Sequence, residues 1–109
     1  MTAKKLVGSC FARITDHNDS SIFTSLTKDA AMEAARASDA RRKADKLLSV
    51  FDGIPVAWKD LVDIPGTPTT AASAIYENAV PPDVPAVIFE NCTNAGMICI
   101  GKTNLSEFA

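Results

Sequence analysis

Apolar positions near the amino terminus repeat with a helical period. From Ala3 to about Asp16 the apolar residues fall on one face of a helix, and they are Leu6, Val7, Cys10, Phe11 and Ile14. The polar stretch from His17 to Ser21 is predicted to end this helix. A short apolar patch follows, which predicts an extended segment or a staple onto the core, and it consists of Ile22, Phe23 and Leu26.

An alanine-rich stretch predicts a second helix from Lys28 to about Leu48. Thr27 is the expected N-cap, and Asp29 lies in the first turn, where the helix dipole favours a carboxylate. The small alanine face would allow another element to approach closely.

Charged residues in the second half of this helix are spaced for pairs along its surface. Asp39 and Lys43 are four residues apart, as are Arg41 and Asp45, and such pairs add a few tenths of a kcal/mol each. The basic run from Arg41 to Lys43 is interpreted as a solvated helical face in preference to a phosphate site.

The run from Ile54 to Lys59 is predicted to be a strand, because a short apolar stretch follows Gly53 and ends abruptly on Lys59 and Asp60. Both charged groups are costly to bury unless they are paired or used. Two interpretations are open at this point. Either these charges simply reach solvent at a strand end, or a lysine lies at the carboxyl end of a central strand, where open α/β sheets place their ligand sites.

The next segment, from Ile64 to Pro82, is predicted to be a long loop without obvious secondary structure, and connections of this length are usually functional or disordered. It carries hydroxyls that could hydrogen-bond to a site at the strand end, namely Thr67, Thr69, Thr70 and Ser73. Hydroxyl residues are also common in turns, so local sequence alone favours the simpler role.

A third helix and a second strand follow the loop. The helix is predicted from Asp83, as N-cap, to Ala95, and Gly96 ends it. Its apolar face is expected to pack on the sheet through Val84, Val87, Ile88 and Cys92. Met97 to Ile100 reads as a second buried strand, and Gly101 to Asn104 as a turn out of it. The strand, helix and strand form a βαβ unit with two parallel strands.

Composition limits the classes of protein. The 109 residues suit one small domain, and a net charge of -2 offers no basic face for a nucleic acid. No apolar run is long enough to span a bilayer, and the apolar section near the amino terminus is too short and is cut by Arg13, which argues against a signal peptide. Three cysteines without a paired spacing indicate reduced thiols in the cytoplasm. The single histidine, His17, is expected on the surface, and neither a metal nor a cofactor is predicted.

The segment from Gly96 to Thr103 matches the spacing of a phosphate-binding loop, and we reject that interpretation. Its four middle residues are Met, Ile, Cys and Ile, which favour a strand, and the element before Gly96 is a helix. A phosphate-binding loop instead follows a strand and opens a helix.

Four segments taken in order closely resemble the N-terminal part of the amidase signature family. They are Gly53 to Asp63, Gly66 to Ser73, Asp83 with its helix, and Ala95 to Ala109. With the preceding helix, the resemblance runs from about Phe23 to Ala109. Ala72 departs from the pattern, since members more often carry glycine there, and the alanine is expected to stiffen the loop.

The resemblance implies a partial α/β/α fold, with N-terminal helices followed by a βαβ unit of a mixed sheet. It also implies a Ser–cis-Ser–Lys triad whose lysine matches Lys59, the one catalytic residue assigned here. A lysine can replace the histidine of a serine hydrolase only if its surroundings populate the neutral amine. The two serines of the family lie in a downstream glycine- and serine-rich segment that residues 1–109 do not contain. Ser73 and Ser106 do not stand in the context of that nucleophile.

We therefore predict that residues 1–109 are the N-terminal portion of a single amidase domain, truncated before the nucleophile segment. The complete enzyme would be a cytoplasmic hydrolase that converts a small-molecule carboxamide and water to a carboxylate and ammonia. The alternatives are the A subunit of the tRNA-dependent amidotransferase and a non-catalytic truncated product. The isolated chain is expected to be inactive and to need a C-terminal complement or self-association, without direct nucleic-acid or membrane contact. Its exposed apolar strand residues would be Ile54, Val56, Ile98 and Ile100.

Overall fold

A computed structural model describes all 109 residues. It has mixed α/β architecture, as predicted. Its helices are α1 (Ala3–His17), α2 (Lys28–Lys43) and α3 (Val87–Asn94), its strands are β1 (Phe23–Leu26), β2 (Pro55–Lys59) and β3 (Ile98–Thr103), and a 3₁₀ turn spans Ala74–Tyr76. None of the helices has the length and apolar character needed to cross a bilayer.

The three strands form one mixed sheet in the order β1-β3-β2. β2 and β3 are parallel, which confirms the predicted strand pair, and β1 pairs antiparallel with β3. The central strand is therefore β3, the last in the sequence. β2 lies at an edge of the sheet that residues 1–109 form.

Helices α1 and α2 pack against one face of the sheet. The buried cluster between them consists of Ala3, Val7, Phe11, Ala31, Ala35, Ile98 and Ile100. The small side chains of Ala31 and Ala35 on α2 let the helix approach β3 closely, as its alanine content predicted. Because these helices cover Ile98 and Ile100, the expectation that both would remain exposed is wrong, whereas Ile54 is exposed.

Helix α2 ends at Lys43, five residues before the predicted end near Leu48. Asp45 adopts a left-handed backbone conformation with φ of 54°, and the N–H of Lys46 returns to the carbonyl of Arg41. This pattern closes a helix, and it leaves the apolar residues that follow outside it.

Tertiary contacts replace the charge pairs predicted along α2. Asp39 accepts hydrogen bonds from the backbone N–H groups of Ala3 and Lys4, at 2.7 and 3.1 Å, and so satisfies the start of α1. Arg41 pairs with Asp52. The predicted pairs of Asp39 with Lys43 and of Arg41 with Asp45 are therefore wrong. Asp39 and Arg41 instead bind groups that are distant in the sequence and that lie in partly or fully buried positions. Thr27 does occupy the N-cap position of α2, but its hydroxyl donates to the carbonyl of Cys99 at 3.0 Å and caps nothing.

Helix α3 begins at Val87, and the predicted start at Asp83 is wrong. Pro85 disfavours helical conformation in the residue before it, and Ala86 at the N-cap position is still extended. The expected packing through Val84, Val87 and Ile88 is also wrong, because all three side chains are exposed. The helix instead contacts the sheet through Phe89, whose ring lies edge-on to Trp58 with centroids 6.2 Å apart. Gly96 follows the helix at φ of 92°, as predicted for its end.

Strand β3 runs on to Thr103, so the predicted turn from Gly101 to Asn104 is wrong. Hydrogen bonding on both edges of β3 holds these residues in the sheet. A side chain at Gly101 would collide with the carbonyl oxygen of Ser25 on β1, so only glycine allows this close approach.

Candidate functional site at the carboxyl ends of the parallel strands

Lys59 is the last residue of β2, and the structure leaves its side chain exposed. Its register partner on β3 is Thr103, so the parallel strands end side by side. The carbonyl of Lys59 accepts a hydrogen bond from the N–H of Val62 at 3.0 Å, which turns the chain sharply away from the sheet. The lysine therefore stands at the carboxyl edge of a parallel pair, where α/β proteins bind ligands.

Asp60 follows Lys59 and is 1% exposed. Its N–H donates to the carbonyl of Thr103 at 3.0 Å, and its carbonyl accepts from the N–H of Ala71 at 2.9 Å. Its carboxylate lies 2.7 Å from the ammonium of Lys102 and accepts from both the N–H and the hydroxyl of Thr70. Every polar group of Asp60 is thus engaged.

Lys102 on β3 is 0% exposed and supplies the charge that balances Asp60. Besides that carboxylate, its ammonium donates to the carbonyl of Pro68 at 3.2 Å and to the hydroxyl of Thr69 at 3.0 Å. These three partners match the three hydrogens of an ammonium group. Sequence reasoning missed Lys102, because it was assigned to the turn after a strand. The available signal was a lysine that follows an apolar run with only Gly101 between them, since Lys59 also comes at the end of an apolar run.

The Asp60 carboxylate stays charged at neutral pH. Burial alone would raise the pKa of Asp60, but hydrogen bonds from Lys102 and Thr70, with the positive charge of Lys102, more than offset burial and lower that pKa. A buried carboxylate tolerates its charge only with such partners.

A β-bulge decides which face of the sheet receives Lys102. Strict alternation along β3 would place it on the face of Ile98 and Ile100, inside the apolar core. The register between β2 and β3 shifts by one residue, so that Ala57 pairs with Gly101 and Trp58 with Lys102. Because Ala57 packs against the core, Lys102 falls on the opposite face, together with Trp58.

The loop that follows β2 supplies the other groups of the site. The hydroxyl of Thr69 accepts a hydrogen bond from Lys102 and donates one to Asp63. The hydroxyl of Thr70 donates to Asp60. Two of the four hydroxyl residues predicted to serve the strand end therefore bind the ion pair there. Ser73 is buried and donates to the carboxylate of Glu107 at 2.7 Å. The loop is therefore ordered around the ion pair, rather than being the structureless connection that its composition predicted.

Two further positions bear on the sequence predictions. Ala72 lies in the left-handed backbone region with φ of 56°, where an alanine is strained and a glycine is not. Ser106 is exposed. Neither Ser73, whose hydroxyl is committed to Glu107, nor Ser106 is placed by any hydrogen bond to a lysine.

A cleft of about 520 Å³ opens between β1 and this loop. Asp60, Thr70 and Ser73 lie in its wall, and Lys59 does not. No group of three or more histidine, cysteine or carboxylate side chains is arranged to hold a metal ion. The three cysteines are free thiols, each half-buried.

The fold and this site define a class of α/β protein with a polar centre at the carboxyl edge of parallel strands. Within that class, the sequence profile described as Amidase matches residues 5–109. The chain therefore belongs to the amidase family, and the resemblance to amidase signature enzymes is confirmed.

Curated relatives are much longer than this chain. The A subunit of glutamyl-tRNA(Gln) amidotransferase from Chloroflexus aurantiacus is 43% identical over 110 residues, which is 100% of this chain and 22% of the relative. Its counterpart from Thermobifida fusca, which carries the same description, is 46% identical over 87 residues, covering 80% of this chain and 17% of the relative. The chain thus spans about a fifth of the length of the relatives that it matches.

Solved structures give the same result for the fold. One solved structure is described as an inhibitor-bound vestigial protein complex that reveals the evolutionary origins of an s-triazine catabolic enzyme. It is 32% identical to this chain with a TM-score of 0.91, and the match covers 100% of this chain and 24% of that one. The peptide amidase of Stenotrophomonas maltophilia is 28% identical with a TM-score of 0.89, covering 100% of this chain and 23% of its own.

Proposed function

We propose that this chain is the N-terminal portion of a single amidase domain and that Lys59 is the base of an amide-hydrolysing site. The complete enzyme converts a small-molecule carboxamide and water to a carboxylate and ammonia. The observation that supports this most is the position of Lys59, free of any protein partner at the carboxyl end of β2 and beside the fully bonded Asp60. An amine without a partner, beside a residue whose polar groups are all bonded, is available for chemistry.

The proposed reaction needs a serine from the family's downstream glycine- and serine-rich segment. In its neutral form the Lys59 amine takes the proton of the bridging cis-serine, which takes the proton of the nucleophilic serine as that oxygen attacks the amide carbon. Collapse of the tetrahedral intermediate breaks the C–N bond, and the returned proton leaves with ammonia. Water then hydrolyses the acyl-serine ester by the same proton route and releases the carboxylate.

A second candidate is the A subunit of a tRNA-dependent amidotransferase. Relatives with that name match this chain at 39 to 46% identity, compared with 28% for the peptide amidase. In this case the amide would be glutamine, the ammonia would pass to partner subunits, and the protein would act in the cytoplasm with translation. This chain would not itself contact the tRNA, since its net charge is -2.

The test uses the protein expressed from its own gene at its natural length. Ammonia release from glutamine and from acetamide is compared between the wild type, Lys59→Ala and Lys43→Ala. Lys43 is the matched control, because it is an exposed lysine at the end of α2 without an ion-pair partner. Loss of a positioned base should lower the turnover of Lys59→Ala by about 10²–10⁴-fold, and Lys43→Ala should retain turnover.

The outcomes separate the candidates. Turnover that survives in a folded Lys59→Ala protein removes Lys59 from catalysis. Glutamine hydrolysis that appears only when partner subunits are added identifies the amidotransferase, and hydrolysis of simple amides without partners identifies the amidase. A wild-type protein that releases no ammonia under any of these conditions is the non-catalytic product.

A further inference from the structure

Two ion pairs, each with a buried carboxylate, lie at opposite ends of β2. Arg41 and Asp52 meet just before the strand begins, and Asp60 and Lys102 meet just after it ends. A buried ion pair is a poor source of net stability, because the cost of removing both charges from water roughly cancels their attraction. The side chains of Asp60 and Lys102 are 1% and 0% exposed, so both charges of this pair have lost their hydration. Such a pair has to be explained by what it holds in place.

The residues on both sides of Lys59 are hydrogen-bonded to the end of β3, next to the Asp60–Lys102 pair. Trp58 is the register partner of Lys102 and its carbonyl accepts from the hydroxyl of Thr103 at 3.4 Å, while Asp60 donates its N–H to the carbonyl of Thr103 at 3.0 Å. Lys59 therefore lies between two residues that are both tied to the end of β3. Its own side chain has no partner that would orient it, so its direction depends on this backbone.

The pair also joins the strand end to the loop. Asp60 receives two hydrogen bonds from Thr70, and Lys102 donates to Pro68 and Thr69. An apolar pair of the same size could fill the space, but it would form no directional contact with these groups. Two strand ends and one loop are thus locked together by charge and hydrogen-bond geometry rather than by packing alone.

From this arrangement we infer that Asp60 and Lys102 are positioning residues, which fix the direction in which Lys59 presents its amine at the site. The inference rests on the proposed role of Lys59. Neither residue needs to touch the substrate, because both act through the backbone of β2 and through the loop. A displacement of about 1 Å at a reacting group can lower a rate by about 10²-fold.

The test is steady-state kinetics on the protein at its natural length, with the double variant Asp60→Asn/Lys102→Met. This change removes both charges, keeps similar volumes, and leaves no buried charge without a partner. We expect kcat to fall by about 10²-fold while KM stays within about twofold, because ground-state binding of the amide is not affected. The single variant Lys102→Met should be less stable to urea than the double variant, since it strands the carboxylate of Asp60.

The matched control is Arg41→Met/Asp52→Asn, which removes the other ion pair at the far end of β2. A merely structural role predicts that neither double variant changes kcat when it is measured well below its unfolding midpoint. Wild-type kcat in folded Asp60→Asn/Lys102→Met therefore overturns the inference. So does an equal fall of kcat in the control.

If the double variant does not fold, Thr70→Val decides the question. It removes only the hydroxyl that bonds the carboxylate of Asp60, and kcat should fall by about tenfold with KM unchanged. Unchanged kcat in this variant overturns the inference.

Failure of the proposed function looks different, because Lys59→Ala itself would then remain active. Inactive Lys59→Ala combined with a fully active Asp60→Asn/Lys102→Met removes the positioning role alone.

Discussion

Replacing Asp52 with asparagine tests which carboxylate holds the end of α2. The side chain of Asp52 is 0% exposed and accepts two hydrogen bonds of 2.8 Å from the guanidinium of Arg41 and one of 2.9 Å from the N–H of Leu48. It thereby ties α2, the segment after it and the start of β2 together. Asp52→Asn keeps the shape of the side chain and removes its charge.

The size of the effect follows from this geometry. A hydrogen bond to a charged group contributes about 1.5–3 kcal/mol, and removing one partner from a fully buried pair costs about 3–5 kcal/mol. Because 29% of the Arg41 side chain is exposed, water recovers part of that loss, and we expect Asp52→Asn to cost about 2–4 kcal/mol. With a urea dependence of about 2 kcal/mol per molar, the midpoint should fall by roughly 1–2 M.

The assay is urea denaturation of the wild type, Asp52→Asn and Asp45→Asn. Asp45 is the control, since its spacing predicted the pair with Arg41, and asparagine tolerates its left-handed backbone as well as aspartate does. Asp45→Asn should change the free energy of unfolding by less than about 0.5 kcal/mol. A larger loss in Asp45→Asn than in Asp52→Asn would refute the assignment and restore the pair within the helix.

Three further predictions concern pH and backbone strain. Hydrogen bonds from Arg41 hold the pKa of Asp52 well below its usual range. The stability that the ionised Asp52 contributes is therefore complete above its unfolded pKa of about 4 and is lost as pH falls through the folded pKa. Urea midpoints measured at decreasing pH should show that the difference in unfolding free energy between wild type and Asp52→Asn narrows below about pH 4. Gly96→Ala should cost more than Gly66→Ala in the same assay: both have positive φ, worth about 1–2 kcal/mol, but only at Gly96 would the new Cβ lie 2.5 Å from Asp52. Ala72→Gly should raise stability by up to about 1 kcal/mol by relieving the left-handed alanine, and a loss would contradict the strain.

Local patterns were enough wherever a few neighbouring residues decide the conformation. The spacing of Leu6, Val7 and Phe11 predicted α1 almost to the residue, because a helix face repeats within one or two turns. The apolar runs of β2 and β3 predicted a parallel pair, and Gly96 marked the end of α3 through its positive φ. Lys59 was placed at a strand end for the same reason, since the change from apolar to charged residues is visible in the sequence.

Errors occurred where a distant residue competes with a near one. The end of α2 and the partner of Arg41 depend on Asp52, which lies eleven positions away in the sequence. The start of α3 was misplaced because Asp83 is a residue type favoured at N-caps, while Pro85 disfavours helical conformation at Val84 and the helix begins only after Ala86.

Residue order alone was therefore sufficient for the helices and strands in outline, for the family, and for the place of Lys59 at the end of β2. The pairing of Lys102 with Asp60 beside that lysine required the folded chain. A one-residue bulge between β2 and β3 moves Lys102 from the apolar face to the polar one, and such a shift depends on the packing of both strands at once. The charges of a buried pair must also find every hydrogen-bond partner in three separate segments, and their distance along the chain carries no information about that fit.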